Sequence, residues 1–349
     1  MKFICYTDWT QLPESANVLF DKSARENVFF SRPWFENLVA TALKADQSML
    51  LVCVVQEEKM LAIFPLIQQS DGHWESLSHT YSSLYSLLLV ENKQSENDHQ
   101  TIMACLVKGF IQLPFHTLRL KPFDENDRHV LGLQQSMESL GISCHRGFRF
   151  FNWSCAIQGQ TFEDYMAKRP GRVRNTIARK QRKLEREQNY EIRLFIDEGV
   201  QQAMLDYYVV FKASWKAKEL SGDIMDGLIE RFAKRGWLRL AVLYIENQPV
   251  AAQLWFVVHG KASIFRLAYD EAWERYSPGS ILTKFLMEHV IDHDKVDEID
   301  FLTGNERYKQ DWMSERKARW EMVCANNPKR MSKPYQFIQN LKNSLKGLS

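Results

Sequence analysis

The chain carries the same order of secondary structure twice, and few architectures accommodate such a repeat. In the first half, "MLLVCVVQEEKMLAIFPLI" reads as two strands around a Glu-Glu-Lys turn, and a third strand follows around Leu84–Val90. A helical pattern over Gln100–Leu113, the strand "FHTLRL", a helix over Arg128–Leu140 and a strand through "FRFFNWSCAI" come next. In the second half, "LRLAVLYIENQPVAAQLWFVV" is a hairpin around Asn247-Gln248, and "ASIFRLAYD" is the third strand. The helix "PGSILTKFLMEHVIDHD", the strand "VDEIDFL", the helix "NERYKQDW" and the strand "RWEMVCA" complete it. Short apolar runs and alternation mark the strands, and i, i+3, i+4 spacing marks the helices. The residues of the two halves hardly match, so what repeats is architecture. The order predicts an α+β fold of two tandem domains, each a mixed central sheet flanked by helices. Short loops make the first strands antiparallel, and each strand–helix–strand unit then needs a parallel neighbour and a right-handed crossover. The joint falls near Gly159, which gives domains over 1–159 and 160–330 and leaves 331–349 as a C-terminal helix.

The halves differ at the helix after the third strand. In the second half it opens Pro278-Gly279-Ser280; in the first it follows the acidic "ENKQSENDHQ", which has no glycine. Small residues at a helix N-terminus let backbone N–H groups approach a phosphate, and carboxylates repel one. Pro with Gly and Ser beside it also starts helices that bind nothing. Charge points to the same half. Residues 1–150 carry 13 Lys and Arg against 17 Asp and Glu, and the remainder carries 32 against 26, so an anionic ligand is expected on the second half.

Several classes are disfavoured. The longest apolar run, Met49–Val55, has seven residues, too few to span a bilayer. Phe3–Tyr6 is too short for a secretory signal, so a cytoplasmic protein is expected. The six cysteines form no C-x-x-C pair and read as buried thiols. His289 and His293 stand four apart on one helix, but no third ligand has a recognisable spacing, so no metal is expected.

"SPGSIL", the later "IDFLTGNERYKQDW" and the preceding "FRLAYDEAWERY" together resemble the acetyltransferase-like proteins named after the cellulose-biosynthesis protein CelD. That group lies within the GNAT superfamily and is related to the FemAB aminoacyltransferases. The similarity is strongest over 236–325 and extends weakly to "VFFSRPWFENL" and "MLAIFPLI". FemAB-type proteins carry two GNAT-like domains in tandem, in agreement with the repeat. The resemblance therefore implies two GNAT-like domains, the first degenerate, with an acyl-CoA site in the second. It implies that Leu267, Ala268 and Tyr269 offer backbone groups to the pantetheine. Gly279, Ser280 and Ile281 would offer N–H groups to the pyrophosphate, with Arg275 at the start of the loop. The usual loop reads Gln/Arg-x-x-Gly-x-Gly/Ala. Here Pro278 takes the first glycine position and Ser280 the last, and proline has no N–H to donate. The CelD-like group nonetheless has Pro-Gly at this place.

Acyl transfer to an amine needs a deprotonated nucleophile, donors for the developing oxyanion and a proton for the leaving thiolate. The resemblance places Tyr308 as the general acid; otherwise it is a tyrosine packed on the sheet edge. Asp300 interrupts an apolar strand, so a partner or a raised pKa is expected. It is a candidate general base, or a structural clamp on Arg266 or Arg275. Glu306 is the second base candidate, or a helix N-terminal residue that suits the macrodipole. The resemblance places Lys309 on the substrate side, where it otherwise reads as a solvated helix lysine, and Arg266 is a further candidate there. Trp215 is a substrate-side aromatic by resemblance, or a core residue by its helical spacing.

Residues 168–186, "KRPGRVRNTIARKQRKLER", contain nine Lys or Arg. Val173, Ile177 and Leu184 give them a narrow apolar stripe, the pattern of an amphipathic helix lying on the domain. Its basic face is either solvated or meets phosphates: those of CoA, a phosphorylated acceptor, tRNA, or an anionic membrane surface. Three functions follow. The first is an N-acyltransferase moving an acyl group from acetyl-CoA or another acyl-CoA to an amine on an amino sugar, envelope precursor or small metabolite. The second is an aminoacyl-tRNA-dependent FemAB-type transferase acting on a peptidoglycan precursor. The third is a non-catalytic GNAT pair that binds nucleic acid or an anionic surface.

Overall fold

The computed structural model describes residues 1–90, 96–215 and 222–326. The chain divides into two units: Met1–Phe150 with the segment from Ala318 onward, and Phe151–Lys317. The first contains β1 (Lys2–Tyr6), α1 (Ser15–Glu26), α2 (Arg32–Thr41), β2 (Ser48–Gln56), β3 (Lys59–Ser70), β4 (His73–Ser76), the two-residue β5 (Leu88–Leu89), α3 (Glu96–Phe110), β6 (Thr117–Asp124), α4 (Arg128–Glu138) and the start of β7 (Ser143–Ala156). The second contains the end of β7, α5 (Phe162–Ala167), α6 (Gly171–Glu187), β8 (Tyr190–Phe195), α7 (Val200–Lys212), α8 (Gly222–Ala233), β9 (Leu238–Ile245), β10 (Gln248–Val258), β11 (Lys261–Tyr269), α9 (Pro278–Asp292), β12 (Glu298–Thr303), α10 (Arg307–Trp312) and the start of β13 (Glu315–Ala325).

The repeat is thus longer than the sequence pattern suggested: a strand and two helices precede the three antiparallel strands in both units. Strand order is β1-β2-β3-β4-β6-β13 in the first unit and β7-β12-β11-β10-β9-β8 in the second. In each, five strands come in the same spatial order, and the sixth place goes to a strand shared with the other half of the chain. The pairs β4–β6 and β11–β12 are parallel, and the neighbours joined by hairpins are antiparallel. This is a mixed sheet flanked by helices, as the order of elements predicts.

Local chemistry explains the hairpins. The β2–β3 turn is Glu57-Glu58 (φ 50° and 66°), the β9–β10 turn is Glu246-Asn247 (48° and 64°), and the β10–β11 turn is His259-Gly260 (45° and 79°). Two successive left-handed residues give the turn twist that matches antiparallel strands. The β9–β10 turn sits one residue earlier than Asn247-Gln248. Every residue of β9 is buried. It has no solvent face because α9 and α7 both pack on this sheet, which is why its pattern is a continuous apolar run rather than an alternation. Leu243, Trp255, Leu282, Leu286, Val290 and Ile299 belong to one core cluster of the second unit.

Two sequence expectations differ from the structure. The third strand of the first half is His73–Ser76, not Leu84–Val90, of which only Leu88 and Leu89 pair with β3. Four residues are too few to show a period, and the intervening serines favour irregular backbone. The division after Phe150 falls inside β7, and β13 is itself divided at Ala318, so the first unit includes a segment the sequence reading gave to the second domain. The expected helix over 331–349 lies outside the described residues. No helix among the described residues is long and apolar enough to cross a membrane.

Candidate functional site

The residues singled out in the second half gather at one end of the second unit's sheet. There β11 and β12 are paired only through Lys261–Glu298, Ala262–Ile299 and Ser263–Asp300. Beyond Ser263 both strands deviate. β11 carries an extra residue at Phe265, since Leu254 opposes Arg266 and Trp255 opposes Ile264. β12 carries an extra residue between Asp300 and Thr303, where Leu302 adopts φ 52°. A bulge in each of two parallel neighbours ends their ladder and bends them away from a common line. Leu267, Ala268 and Tyr269 lie on β11 beyond this point, opposite Gln253, Ala252 and Ala251 of β10.

The turn after β11 leads to α9. Asp270 caps a short 3₁₀ helix, Glu271–Tyr276, by accepting from Ala272 N–H. Ser277 is left-handed (φ 56°, ψ 51°), and α9 then starts at Pro278. Of the three expected donors, Ser280 and Ile281 already give their N–H groups to Ser277 O at 3.0 and 3.2 Å. The Gly279 N–H has no hydrogen-bond partner among the described residues. The Gly279 carbonyl accepts from Gln253 Nε2 and Thr283 Oγ1, both at 2.9 Å. Gln253 is fully buried, and its Oε1 accepts from Trp255 Nε1 at 2.9 Å, so a satisfied polar network ties the first turn of α9 to β10. A Cβ on Gly279 would stand 3.1 Å from Tyr269 Cδ1, so the glycine allows the Tyr269 ring to lie on the turn. Trp215, 48% exposed, packs on that ring with centroids 4.7 Å apart. It is therefore an exposed aromatic beside the turn and not a core residue.

Arg275 is exposed, with its guanidinium 4.7 Å from the Tyr276 ring centroid. Its carbonyl accepts from Lys180 Nζ at 2.5 Å. Lys180 belongs to α6, the basic helix. Ile177 and Leu184 bury the apolar stripe of α6, Val173 packs beside them, and Arg172, Arg174, Arg179, Arg182 and Arg186 are exposed. Lys183 Nζ lies 5.3 Å from the Tyr276 ring centroid, and Lys284 of α9 donates to Gln181 at 3.1 Å. The helix thus runs along the α9 turn with its cationic side exposed; of those arginines, Arg172 is paired with Asp311 and Arg186 with Glu187.

At the end of β12 the Asp300 carboxylate accepts from Leu302 N–H at 2.6 Å and from Asn152 Nδ2 at 3.4 Å. The first bond holds the left-handed Leu302. Glu306 precedes α10, makes no cap, and places Oε2 3.3 Å from Lys309 Nζ. Lys309 is 4% exposed and donates to Phe301 O at 2.9 Å and Thr303 O at 2.5 Å. It clamps the bulged end of β12 and is not a solvated lysine. Burial pulls its pKa down, against the Glu306 and Asp300 charges that raise it. Tyr308 is 41% exposed with its ring 6.3 Å from that of Phe301. Burial first, then the Glu306 carboxylate, push its phenol well above the ordinary value. The Arg266 guanidinium lies 5.7 Å from the Phe265 ring. His289 and His293 stack at 5.2 Å, with His289 Nε2 3.7 Å from Asp294, which Arg239 binds through two nitrogens. Among the described residues no group of three or more His, Cys, Asp or Glu is arranged to hold a metal.

Sequence reasoning missed Gln253 and Asn152. Each is a lone amide in an apolar strand, which was the available signal.

Residues 171–310 match the model of the acetyltransferase (GNAT) domain family. No curated protein matches the chain by sequence. Among solved structures, FemX superposes with a TM-score of 0.61 at 9% identity, covering 92% of this chain and 97% of its own. The C-terminal domain of a putative lysylphosphatidylglycerol synthetase from Agrobacterium fabrum gives 0.56 at 12%, covering 93% and 95%. A tandem GNAT protein from the clavulanic acid biosynthesis pathway gives 0.51 at 10%, covering 93% and 99%. At these identities the superpositions speak to the fold, and the family model speaks to the segment from α6 to α10. Residues 171–310 thus resemble a GNAT acetyltransferase domain, and the chain has a fold similar to that of FemX and of a tandem GNAT protein.

Proposed function

We propose that the second unit is an N-acyltransferase that moves an acyl group, acetyl in the simplest case, from acyl-CoA to an amine. One observation carries the reading: the Gly279 N–H, with no hydrogen-bond partner among the described residues, lies in the first turn of a fifteen-residue helix beside the point where β11 and β12 stop pairing. An N–H at the positive end of a helix suits the pyrophosphate, and an interrupted ladder suits an extended pantetheine that hydrogen-bonds to backbone. Arg275 and the open cations of α6 add favourable charge.

In the step itself the amine nitrogen attacks the thioester carbon, the C–N bond forms, the C–S bond breaks, and the thiolate leaves with a proton. Asp300 is the candidate acceptor of the amine proton. Tyr308 is the candidate donor to the thiolate; burial and then Glu306 keep its phenol protonated, so it has a proton to give, while making it a weaker acid. Lys309 serves by holding the end of β12 on which both depend. Suitable acceptors are an amino sugar, an envelope precursor or a small amine.

A second reading keeps the fold and replaces the donor by aminoacyl-tRNA. The bond from Lys180 to the Arg275 carbonyl favours it, because that bond sets a run of cations against the same turn and so suits a donor with more phosphates than CoA. Native mass spectrometry of the purified chain, followed by calorimetry with acetyl-CoA, separates the two. Bound CoA or micromolar acetyl-CoA affinity supports the first. Retention of tRNA with no acetyl-CoA binding supports the second. Binding of tRNA or anionic vesicles without turnover of any amine by either donor would leave a non-catalytic binding protein.

A further inference from the structure

Gln253 stands inside β10 between Ala252 and Leu254, and all three are fully buried. A buried amide costs free energy unless its donors and its acceptor are used. Here all are used. One N–H goes to the Gly279 carbonyl at 2.9 Å and the other to Thr283 Oγ1 at 2.8 Å, while Oε1 accepts from Trp255 Nε1 at 2.9 Å. An indole N–H only donates and a carbonyl only accepts, so these partners fix which end of the amide is which. Thr283 gives its own hydroxyl hydrogen to the same Gly279 carbonyl at 2.9 Å. Two side chains, one from the sheet and one from α9, thus converge on one carbonyl in the first turn of α9.

An apolar side chain of the same volume would fill this place without a polar network, so packing alone does not call for an amide. Its position supplies a reason. The backbone of Gln253 pairs with Leu267 of β11, and its side chain holds the first turn of α9. One residue therefore registers both elements of the proposed donor site. We propose that Gln253 is a positioning residue for the donor: it fixes the Gly279 backbone so that the Gly279 N–H is held toward the pyrophosphate. The inference rests on the acyl-CoA reading. Gln253 itself is fully buried and acts through the Gly279 carbonyl, one bond from the Cα that also bears the N–H. A glycine has the widest choice of backbone angles, so a fixed carbonyl matters more here than at another residue. Without the amide, the first turn of α9 can shift against β10. The stretch of β11 from Leu267 to Tyr269 stays in register, because it pairs with β10 through backbone. Loss of the amide should thus displace the pyrophosphate contact and spare the pantetheine segment, a split that general loosening of the fold does not produce.

The test uses the full chain and two probes. Acetyl-CoA is measured by calorimetry, and S-acetylpantetheine, which has the same thioester and arm but no pyrophosphate, by ligand-observed NMR. Gln253→Leu should weaken acetyl-CoA ~10-fold and S-acetylpantetheine by less than ~2-fold. Gln253→Glu is the conservative rescue. A neutral carboxyl keeps one O–H for the Gly279 carbonyl and an acceptor for Trp255, and burial favours that form. An ionised one has no donor and faces a carbonyl. Relative to the wild type at the same pH, acetyl-CoA affinity of Gln253→Glu should be near normal in acid and fall as pH rises. Thr283→Val removes one of the two links to the Gly279 carbonyl. It should show a smaller loss with the same preference between probes, and it serves if Gln253→Leu does not fold. Equal weakening of both probes would make Gln253 merely structural and overturn the proposal. So would unchanged acetyl-CoA affinity in a folded Gln253→Leu or Thr283→Val. Either result, with acetyl-CoA bound by the wild type, leaves the donor reading standing. A wild type that binds no acetyl-CoA removes the donor reading and the positioning role with it.

Discussion

Lys309 shows how a residue with the look of a ligand-binding group can be committed to the scaffold. Its ammonium satisfies two carbonyls at the bulged end of β12. Lys309→Met keeps the stem and removes the donors, so stability to urea should fall by about 2–4 kcal/mol. A solvent-facing lysine would give a change within about 0.5 kcal/mol. Gly279 is at the opposite extreme, small because something must come close. Gly279→Ala crowds Tyr269 and should weaken acetyl-CoA binding ~10-fold by calorimetry. Gly279→Asp should weaken it further, because a carboxylate then faces the positive helix end. For Tyr308→Phe, acetyl-CoA affinity should hold while turnover falls roughly 10–1000-fold. Because the phenol is pushed up, it stays protonated past its usual pKa of about 10, and no alkaline decline below that pH should trace to it. A decline there that disappears in the phenylalanine variant would contradict its assignment as the acid.

At the scale of elements, α6 and α4 make separate predictions. Reversing the exposed Arg174, Arg179 and Arg182 of α6 to Glu leaves Ile177 and Leu184 packed, so folding should be retained. Acetyl-CoA affinity should fall, and less so at high salt, because these cations add favourable charge beside the α9 turn. Retention on tRNA or anionic vesicles, if the wild type shows it, should fall steeply and most at low salt. In α4, His129 sits in the first turn with Nδ1 3.2 Å from His99 Nε2. Burial first, then His99 and Arg128, lower its pKa to about 4. The unfolded chain, with His near 6.5, binds more protons between those values, so stability is full above about pH 6.5 and is lost as pH falls toward 4. The Tm of the wild type should decline through that window by more than that of His129→Asn. The elements themselves were legible wherever their signal is local. Long strands with tight left-handed turns and the Pro-Gly start of α9 all stand out in one window of sequence. The interior of the site was not legible, because its polar residues act on partners far along the chain. Gln253 reaches a carbonyl 26 residues away, and Asn152 reaches a carboxylate 148 residues away. Spacing along one strand cannot reveal either.

For the molecule as a whole, the tandem repeat was readable, but the path of the chain between the units was not, since a strand's sequence looks the same whichever strands it pairs with. The first unit depends on β13 for more than backbone bonds. Glu321 is 5% exposed and binds Arg119 and Arg149, each at 2.7 Å, across 202 and 172 residues. Glu321→Gln leaves two guanidiniums short of their counter-charge. It should cost about 2–4 kcal/mol, with amide exchange rising in β6 before β10. The same topology fixes an order of events during synthesis. Tandem domains usually mature from the N-terminus as the nascent chain emerges. Here the second unit, Phe151–Lys317, is contiguous and can close its sheet as soon as it leaves the ribosome. The first unit has emerged earlier, yet it must wait with β6 as an open edge until Arg319–Ala325 arrives to pair with it. Through that interval β6, with Leu118, Leu120 and Phe123 on it, is the stretch most exposed to wrong pairing and to chaperone capture, so the half made first is the half completed last.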